Sequence, residues 1–184
     1  MDKFENLQKV NKLERQAHQL DFEGWLNNEL FTWNWWVLAT FFIIPWILYI
    51  KFAVRSKMIE TVLFGALIVI TTVLLDEIGV ELEFWRYPTQ FLPYTPRAIA
   101  FDMSMVPVAY MFLYQYFNTW KSFSIALLVM GILFAFIGEP FSVWAELVKY
   151  MKWKYIYSFV YYIIAGLSIR WIIIKLKNIT QNAK

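Results

Sequence analysis

Five long apolar runs dominate the chain and follow one another with short polar intervals. They cover residues 31–50, 59–79, 98–117, 122–144 and 155–174. A helix that crosses a membrane needs about 20 predominantly apolar residues, at a rise of roughly 1.5 Å per residue. None of the runs alternates apolar and polar positions, as a half-buried strand would. The pattern therefore predicts an all-α, polytopic integral membrane bundle of five transmembrane helices.

The residues before the first run have a different pattern, in which apolar side chains recur three and four positions apart among polar ones. This stripe consists of Phe4, Leu7, Val10, Leu13, Ala17 and Leu20. Such spacing predicts an amphipathic helix, which could lie on the membrane surface, contact a partner protein through residues 1–24, or cover a polar face of the same chain. The predicted organisation is an amphipathic N-terminal helix (1–30), a five-helix membrane domain (31–177) and a polar tail (178–184).

The intervals between the runs also predict local structure. The third and fourth runs are separated only by residues 118–121, so we expect a tight antiparallel helix hairpin there. Pro45, Pro107 and Pro140 lie within apolar runs, where proline bends a helix. There is no internal repeat of the kind that marks inverted-repeat transporters.

The composition supports the membrane assignment and excludes several kinds of site. Hydrophobic residues make up 60% and aromatic residues 21% of the chain, whereas ordinary soluble domains are roughly 45–50% apolar. The net charge of +3 is explained by bases that flank membrane segments, so no nucleic-acid partner is expected. With no Cys and only one His, the chain is expected to hold no metal and no cofactor.

The distribution of Lys and Arg predicts the orientation. Two groups of bases flank the runs: Lys51, Arg55 and Lys57 near the first loop, and Lys175, Lys177 and Lys184 in the C-terminal tail. Five spans place both groups on one side, which the positive-inside rule assigns to the cytoplasm. Three lysines of the fourth loop, Lys149, Lys152 and Lys154, oppose this bias. We predict an outside N-terminus and a cytoplasmic C-terminus.

Three acids lie near the edges of apolar runs, where a charge is costly and usually functional. Asp76 and Glu139 each lie 17 positions after the start of a run, about 26 Å along a helix. Asp102 lies four positions, about 6 Å, into the third run, which travels the opposite way. Because helix direction alternates, all three acids are expected at similar depth near one membrane face.

Aromatic and basic residues accompany the acids at this face, and together they form a predicted ligand site. It consists of Asp76, Asp102, Glu139, Arg86, Arg97, Trp85, Tyr87, Trp36 and Tyr157. In the functional interpretation, the aromatic residues hold the apolar body of a lipid or other amphiphile and an arginine holds its head group. In the structural interpretation, the arginines neutralise the acids as ion pairs, and the aromatic residues form the usual interfacial belt. Arg170, near the opposite face, is expected to be a snorkelling anchor.

Other functions stay open at this point. Carboxylates held together in low dielectric cannot all remain ionised, so one of them could act as the acid of an enzyme working on an isoprenoid or lipid. A proton-linked transporter and an assembly subunit of a larger membrane complex are further alternatives, and the chain could oligomerise. The sequence has no Gly-rich phosphate loop, no G-x-S-x-G elbow and no H-E-x-x-H motif.

Several stretches between residues 31 and 175 resemble one family in both content and order. They are Phe31–Trp36, Pro45–Trp46, Leu75–Gly79, Phe84–Pro88, Pro107–Met111, Tyr114–Phe117 with Trp120–Lys121, Glu139–Pro140 with Trp144, and Trp153–Phe159. In these the chain resembles the CBO0543 family of small multi-pass membrane proteins of Bacillus-type and clostridial bacteria. The resemblance implies a Gram-positive plasma membrane and no particular activity. A fainter likeness links the chain to membrane lycopene cyclase domains, whose Pro-Leu-Glu-Glu motif it lacks.

Overall fold

The computed structural model describes residues 2–182, which are about 80% helical with almost no strand. The helices are α1 (Lys3–Gly24), α2 (Trp33–Phe52), α3 (Met58–Glu81), α4 (Val106–Tyr116), α5 (Trp120–Leu133), α6 (Glu139–Trp144) and α7 (Tyr155–Asn182). Short π turns occur at Trp25–Glu29, Phe101–Met105 and Phe134–Gly138, and a 3-10 turn covers Arg55–Lys57. Strands β1 (Trp85–Arg86) and β2 (Lys149–Tyr150) form a two-residue antiparallel ladder. The predicted helical fold class is confirmed.

Within residues 2–182, four helical segments are long and apolar enough to cross a membrane. They are Trp33–Phe52, Arg55–Glu81, Trp120–Trp144 and Tyr155–Asn182. Only 17–28% of the apolar stretch in each is buried, so large side chains such as Ile43, Ile70 and Ile164 lie on the outer surface. Soluble proteins rarely expose apolar surface on this scale, whereas lipid requires it. These are the features of a membrane protein.

The fifth predicted span is shorter than the other four and differently placed. In the region of residues 98–117 the structure has the five-residue π turn Phe101–Met105 followed by the 11-residue α4. Eight of the residues of α4 are buried, because it packs among α2, α3, α5 and α7. A helix surrounded by protein needs no long lipid-facing surface, which explains why α4 can be short. The five predicted segments are all helical, but four of them qualify as spans by length and composition.

The two ends of the bundle are distinct. Helices α4 and α5 are joined by a tight turn in which Thr119 Oγ1 accepts a hydrogen bond from the Ser122 N–H at 3.1 Å, as expected for a hairpin. We call this the hairpin end. The opposite end carries the β1–β2 ladder, and we call it the ladder end. Helices α2 and α7 begin at the ladder end, and α3 and α6 end there. Helix α4 begins deeper in the bundle, because the π turn before it contacts the middle of α2, where the Trp46 indole N–H donates to the Met103 carbonyl at 3.1 Å.

Arg170 lies at the hairpin end and is buried, with 3% of its surface exposed. Its guanidinium donates hydrogen bonds to the carbonyls of Phe117 (2.8 Å) and Asn118 (2.6 Å) and lies 4.3 Å from the centre of the Phe123 ring. The expectation of a snorkelling anchor is therefore wrong. Carbonyls at the C-terminal end of a helix have no partner within the helix, and they attract the guanidinium inward.

The C-terminal helix extends further than the sequence pattern suggested. Helix α7 continues to Asn182, so the predicted polar tail (178–184) is helical through that residue, and Ala183 and Lys184 lie outside the described residues. Lys177 forms a salt bridge of 2.7 Å with Glu60 on α3. This contact joins α7 and α3 at the hairpin end.

Two of the π turns stand next to prolines and acids. The turn Phe101–Met105 contains Asp102 and ends two residues before Pro107, and the turn Phe134–Gly138 directly precedes Glu139 and ends two residues before Pro140. Proline lacks an N–H and its ring crowds the carbonyl four residues earlier, so the preceding turn widens. At Pro107 and Pro140, the helix distortion expected from the sequence therefore takes the form of a π turn. Each of these turns contains or adjoins a buried acid.

Within residues 2–182, the N-terminal helix contacts the rest of the protein near its C-terminal end. The Trp25 indole N–H donates to the Gln90 carbonyl (3.1 Å), the Gln90 side chain donates to Asp21 (3.1 Å), and the Phe22 and Tyr94 rings stack at 5.6 Å. Every residue from Lys3 to Leu20 is exposed, including the apolar stripe. Most of α1 therefore projects from the loop that follows β1.

Candidate functional site

A cavity of about 110 Å³ lies near the ladder end, between α3, the π turn Phe101–Met105, α6 and α7. Its wall includes all three acids singled out from the sequence, Asp76, Asp102 and Glu139. The other lining residues are mostly aromatic or small: Thr72, Leu75, Trp85, Tyr87, Phe101, Met105, Val106, Phe134, Gly138, Ser142, Val148, Tyr150, Trp153, Ser158, Tyr161 and Tyr162. The structure thus brings carboxylates from three separate helical segments to one cavity.

Asp76 is fixed by two side chains from the loop that follows α3. The Trp85 indole N–H donates to Asp76 Oδ1 at 2.8 Å, and the Tyr87 hydroxyl donates to the same oxygen. Asp76 is buried, with 6% of its surface exposed. Its second oxygen, Oδ2, is buried and has no hydrogen-bond partner among residues 2–182. One oxygen therefore positions the side chain and the other is available to a ligand.

Glu139 has the same arrangement on the other side of the cavity. The Tyr162 hydroxyl of α7 donates to Oε1 at 3.1 Å, while Oε2 is buried and, within the described part of the chain, has no partner. One helical turn before Tyr162, Ser158 also lines the cavity, and its hydroxyl accepts a hydrogen bond of 2.8 Å from the Trp153 indole N–H. Helix α7 therefore supplies both a donor to Glu139 and a polar patch of wall.

Asp102 lies on the widened π turn and is 5% exposed. Its Oδ2 is likewise buried without a partner in the described residues. A buried carboxylate without a compensating hydrogen bond or charge costs several kcal/mol or becomes protonated. Three such oxygens around one cavity are therefore a costly arrangement that packing alone does not explain.

The tyrosines at the ladder end remain hydrogen-bond donors. Burial raises the pKa of Tyr87 well above its ordinary value, and the nearby carboxylates of Asp76 and Asp102 raise it further. Burial likewise raises the pKa of Tyr150, and the neighbouring Glu139 adds to this effect. Both hydroxyls therefore keep their protons at any physiological pH, and an anionic phenolate does not form beside the acids.

Strand β1 explains why Trp85 and Tyr87 line the cavity while Arg86 does not. Side chains alternate across a strand, so Trp85 and Tyr87 point inward and Arg86 points outward. Trp85 lies directly against Gly79 of α3, where an added Cβ would come within 2.0 Å of the Trp85 ring. Only glycine leaves room for the indole to reach Asp76 at this position.

Four of the nine predicted site residues lie away from the cavity. Arg86 pairs with Glu83 and Arg97 with Asp21, each at 3.2 Å, so these arginines do not neutralise the buried acids. Trp36 is 55% exposed and packs against Phe31 and Trp35. Tyr157 is 46% exposed and meets the Trp153 ring edge-on at 5.3 Å. The ion-pair interpretation is therefore wrong for both arginines.

Several lining residues were missed in the sequence, and two of them had a recognisable signal. Tyr162 lies four positions after Ser158, so both share a face of α7, whereas Tyr157 lies one position away and faces elsewhere. Thr72 precedes Asp76 by four positions on α3 in the same way. Tyr150 and Trp153 had no such signal, because the ladder that brings the fourth loop to the cavity joins positions far apart in sequence.

The wall of the cavity offers hydrogen-bond acceptors and the faces of aromatic rings. Among the described residues that line the cavity, none is Lys, Arg or His. Within residues 2–182 no group of three His, Cys, Asp or Glu side chains is placed to hold one metal ion. The wall can therefore accept hydrogen bonds or attract a positive charge, and aromatic rings surround whatever occupies it.

No protein-family model, curated protein or solved structure matches this chain. The resemblance to the CBO0543 family therefore stays a prediction, and the candidate function depends on the geometry of the cavity.

Proposed function

We propose that this protein is a multi-pass membrane protein that binds a lipid or another amphiphilic small molecule in the cavity near the ladder end. The observation that carries the proposal is that Asp76, Asp102 and Glu139 each present a buried oxygen, without a partner in the described chain, to one cavity. Such oxygens are stabilised when a ligand supplies donors or charge. Aromatic side chains would contact the apolar part of the molecule.

The proposal includes five membrane-spanning segments. Helix α4 runs toward the hairpin end, antiparallel to α3. The π turn before it is hydrogen-bonded to the middle of α2, and the Phe117 carbonyl after it accepts a hydrogen bond from Arg170 of α7. Five alternating segments would place the cavity at the outer face and both basic ends in the cytoplasm, with the N-terminus outside. The family resemblance favours the plasma membrane of a Gram-positive bacterium.

Native mass spectrometry of the gently extracted protein tests ligand binding. We expect a defined additional mass on the wild type that is lost in the Asp102→Asn, Glu139→Gln double variant. Glu77→Gln is the matched control, because Glu77 is an exposed acid next to Asp76 that does not line the cavity. Circular dichroism should show that all three proteins are folded.

Two results would count against the proposal. One is a wild-type protein without a defined additional mass. The other is a mass that the folded double variant retains, because the ligand would then be bound elsewhere. If the mass is a substrate that the wild type converts and the double variant does not, the enzyme alternative, an acid-base reaction on a lipid or isoprenoid, would replace simple binding. Ligand-dependent flux in liposomes would indicate a transporter instead.

The projecting half of α1 favours a second candidate, an assembly subunit. Its apolar stripe is exposed throughout, with Phe4 at 69% and Leu20 at 70%. Deletion of residues 2–17 should leave the unfolding temperature of the membrane domain unchanged, because these residues are exposed. Loss of a co-purifying membrane protein on this deletion would support an assembly role, and an unchanged set of co-purifying proteins would contradict it.

A further inference from the structure

The described lining of the cavity contains acidic side chains and no basic ones. Three carboxylates line it, each is at least nine-tenths buried, and each has an oxygen without a partner among residues 2–182. The two nearest loop arginines in sequence, Arg86 and Arg97, are occupied by Glu83 and Asp21. Neutralising charge must therefore come from protons or from a bound molecule.

The aromatic residues of the wall favour a bound organic cation. Six aromatic side chains with hydroxyl or indole groups line the cavity: Trp85, Tyr87, Tyr150, Trp153, Tyr161 and Tyr162. The rings of Trp85 and Trp153 meet edge-to-face, with centroids 4.8 Å apart. Trp and Tyr rings attract ammonium groups through their π faces, and cages of such rings with acids recognise substituted ammonium ions.

The size of the cavity limits how much of a molecule it holds. A volume of about 110 Å³ is below the roughly 150 Å³ of a cavity that accommodates benzene. A compact head group fits this volume, and a long alkyl chain does not. Leu75, Phe134 and Tyr161 in the wall are only partly buried, so the cavity reaches the surface of the bundle beside them. An alkyl chain would extend there into lipid.

We infer that the ligand is an alkylammonium amphiphile, with its positively charged nitrogen among Asp76, Asp102 and Glu139 and its chain directed toward lipid. This inference rests on the proposed ligand site. It excludes an anionic head group, because no base is among the described lining residues. It also excludes one metal ion shared by the three acids, because within residues 2–182 they are not placed to ligate it together.

The test compares three probes that share one decyl chain: decyltrimethylammonium, its neutral tert-butyl isostere and decyl phosphate. Binding is measured at equilibrium to the full-length protein in phosphatidylglycerol nanodiscs, with empty nanodiscs subtracted. We expect the cation to bind at least about tenfold more tightly than the neutral isostere, since the two differ in charge and hardly in shape.

Gly138→Leu serves as a cavity-filling variant that retains every charge. Gly138 lines the cavity, and an added Cβ would meet only the Leu133 carbonyl oxygen, at 3.6 Å, so the larger side chain has open space. Binding of the cation should fall at least about tenfold in this variant. Binding that persists unchanged would place the cation on the outer surface and overturn the inference.

The remaining outcomes separate this inference from the proposed function. If the anionic probe binds as tightly as the cation and is lost in Gly138→Leu, the cavity binds amphiphiles but the charge assignment is wrong. If the neutral hydrocarbon does so, the cavity recognises apolar shape, and the charge assignment is again wrong. If no probe binds specifically, the inferred alkylammonium class is wrong. The proposed ligand site is then tested separately, by the additional mass that native mass spectrometry detects on the wild-type protein.

A second set of nanodiscs identifies the source of the ammonium group. Replacing part of the phosphatidylglycerol by phosphatidylethanolamine should weaken decyltrimethylammonium binding about tenfold if the lipid head group occupies the cavity. Unchanged binding would assign the site to a free alkylammonium molecule. Both results agree with an alkylammonium ligand. They distinguish a lipid head group from a free molecule as its source.

Discussion

At the residue scale, hydrogen bonds fix one oxygen of each of two buried acids, Asp76 and Glu139, and the hydroxyls of Ser158 and Tyr150 also lie near the Glu139 carboxyl group. Trp85 and Tyr87 bind one oxygen of Asp76, and Tyr162 binds one oxygen of Glu139. Donors on one oxygen orient a carboxylate without satisfying it, so the free oxygen keeps a defined direction. This arrangement is typical of a binding site, in which the acceptor is positioned before the ligand arrives.

Removing one of these donors should reduce stability and disturb the site. Tyr87→Phe leaves Asp76 Oδ1 with Trp85 alone, and we expect a loss of about 1–3 kcal/mol in the free energy of unfolding. Thermal unfolding in detergent would show it as a lower midpoint. Tyr94→Phe in the same loop is the control, since Tyr94 is 66% exposed and phenylalanine keeps the ring that stacks on Phe22. Equal midpoints for the two variants would contradict the assigned role of Tyr87.

At the element scale, α3 and β1 are in contact without space for a side chain between them. An Ala at Gly79 would place its Cβ 2.0 Å from the Trp85 ring, so the indole must move away from Asp76. We expect Gly79→Ala to lower the free energy of unfolding by about 1–3 kcal/mol, although alanine favours helix more than glycine does. The measurement is again the unfolding midpoint.

The control for this substitution is Gly24→Ala. Gly24 ends α1, and an added Cβ there meets nothing within 4 Å. The control should be neutral or slightly stabilising, because alanine is the better helix former. A Gly79→Ala protein that is as stable as the control would mean that Trp85 does not pack as described.

The elements also show what the sequence could predict and what it could not. The depth of Asp76, Asp102 and Glu139 followed from helix rise and alternating direction, which depend only on local geometry. The position of Arg86 depended on which side of a two-residue strand it occupies, and that of Arg97 on its pairing with Asp21. Hydrophobic periodicity contains no information about the pairing of β1 with β2 or of Arg97 with Asp21. The sequence analysis therefore placed both arginines at the cavity, where the structure does not have them.

At the scale of the whole molecule, the proposed topology of five membrane spans predicts which loops face outside. The chain has no Cys, so single cysteines can be introduced at the exposed positions Arg55, Glu81 and Lys121 and labelled in intact cells with a membrane-impermeant thiol reagent. We expect labelling of Glu81→Cys alone, since Arg55 and Lys121 lie toward the hairpin end, which we assign to the cytoplasm.

This pattern also tests whether α4 crosses the membrane. If the segment containing α4 returned to the same face, Lys121→Cys would be labelled together with Glu81→Cys. Labelling of Arg55→Cys and Lys121→Cys without Glu81→Cys would instead show five spans in the reverse orientation. Permeabilised cells provide the control, because all three cysteines should then react.

The most direct test of the central claim, that the cavity holds a ligand, is native mass spectrometry of wild type beside Gly138→Leu. The substitution adds a side chain to the cavity wall and leaves Asp76, Asp102 and Glu139 unsubstituted. We predict a defined additional mass on the wild type that is absent from the folded Gly138→Leu protein. The same mass on both proteins, or on neither, would contradict the claim that the cavity is a ligand site.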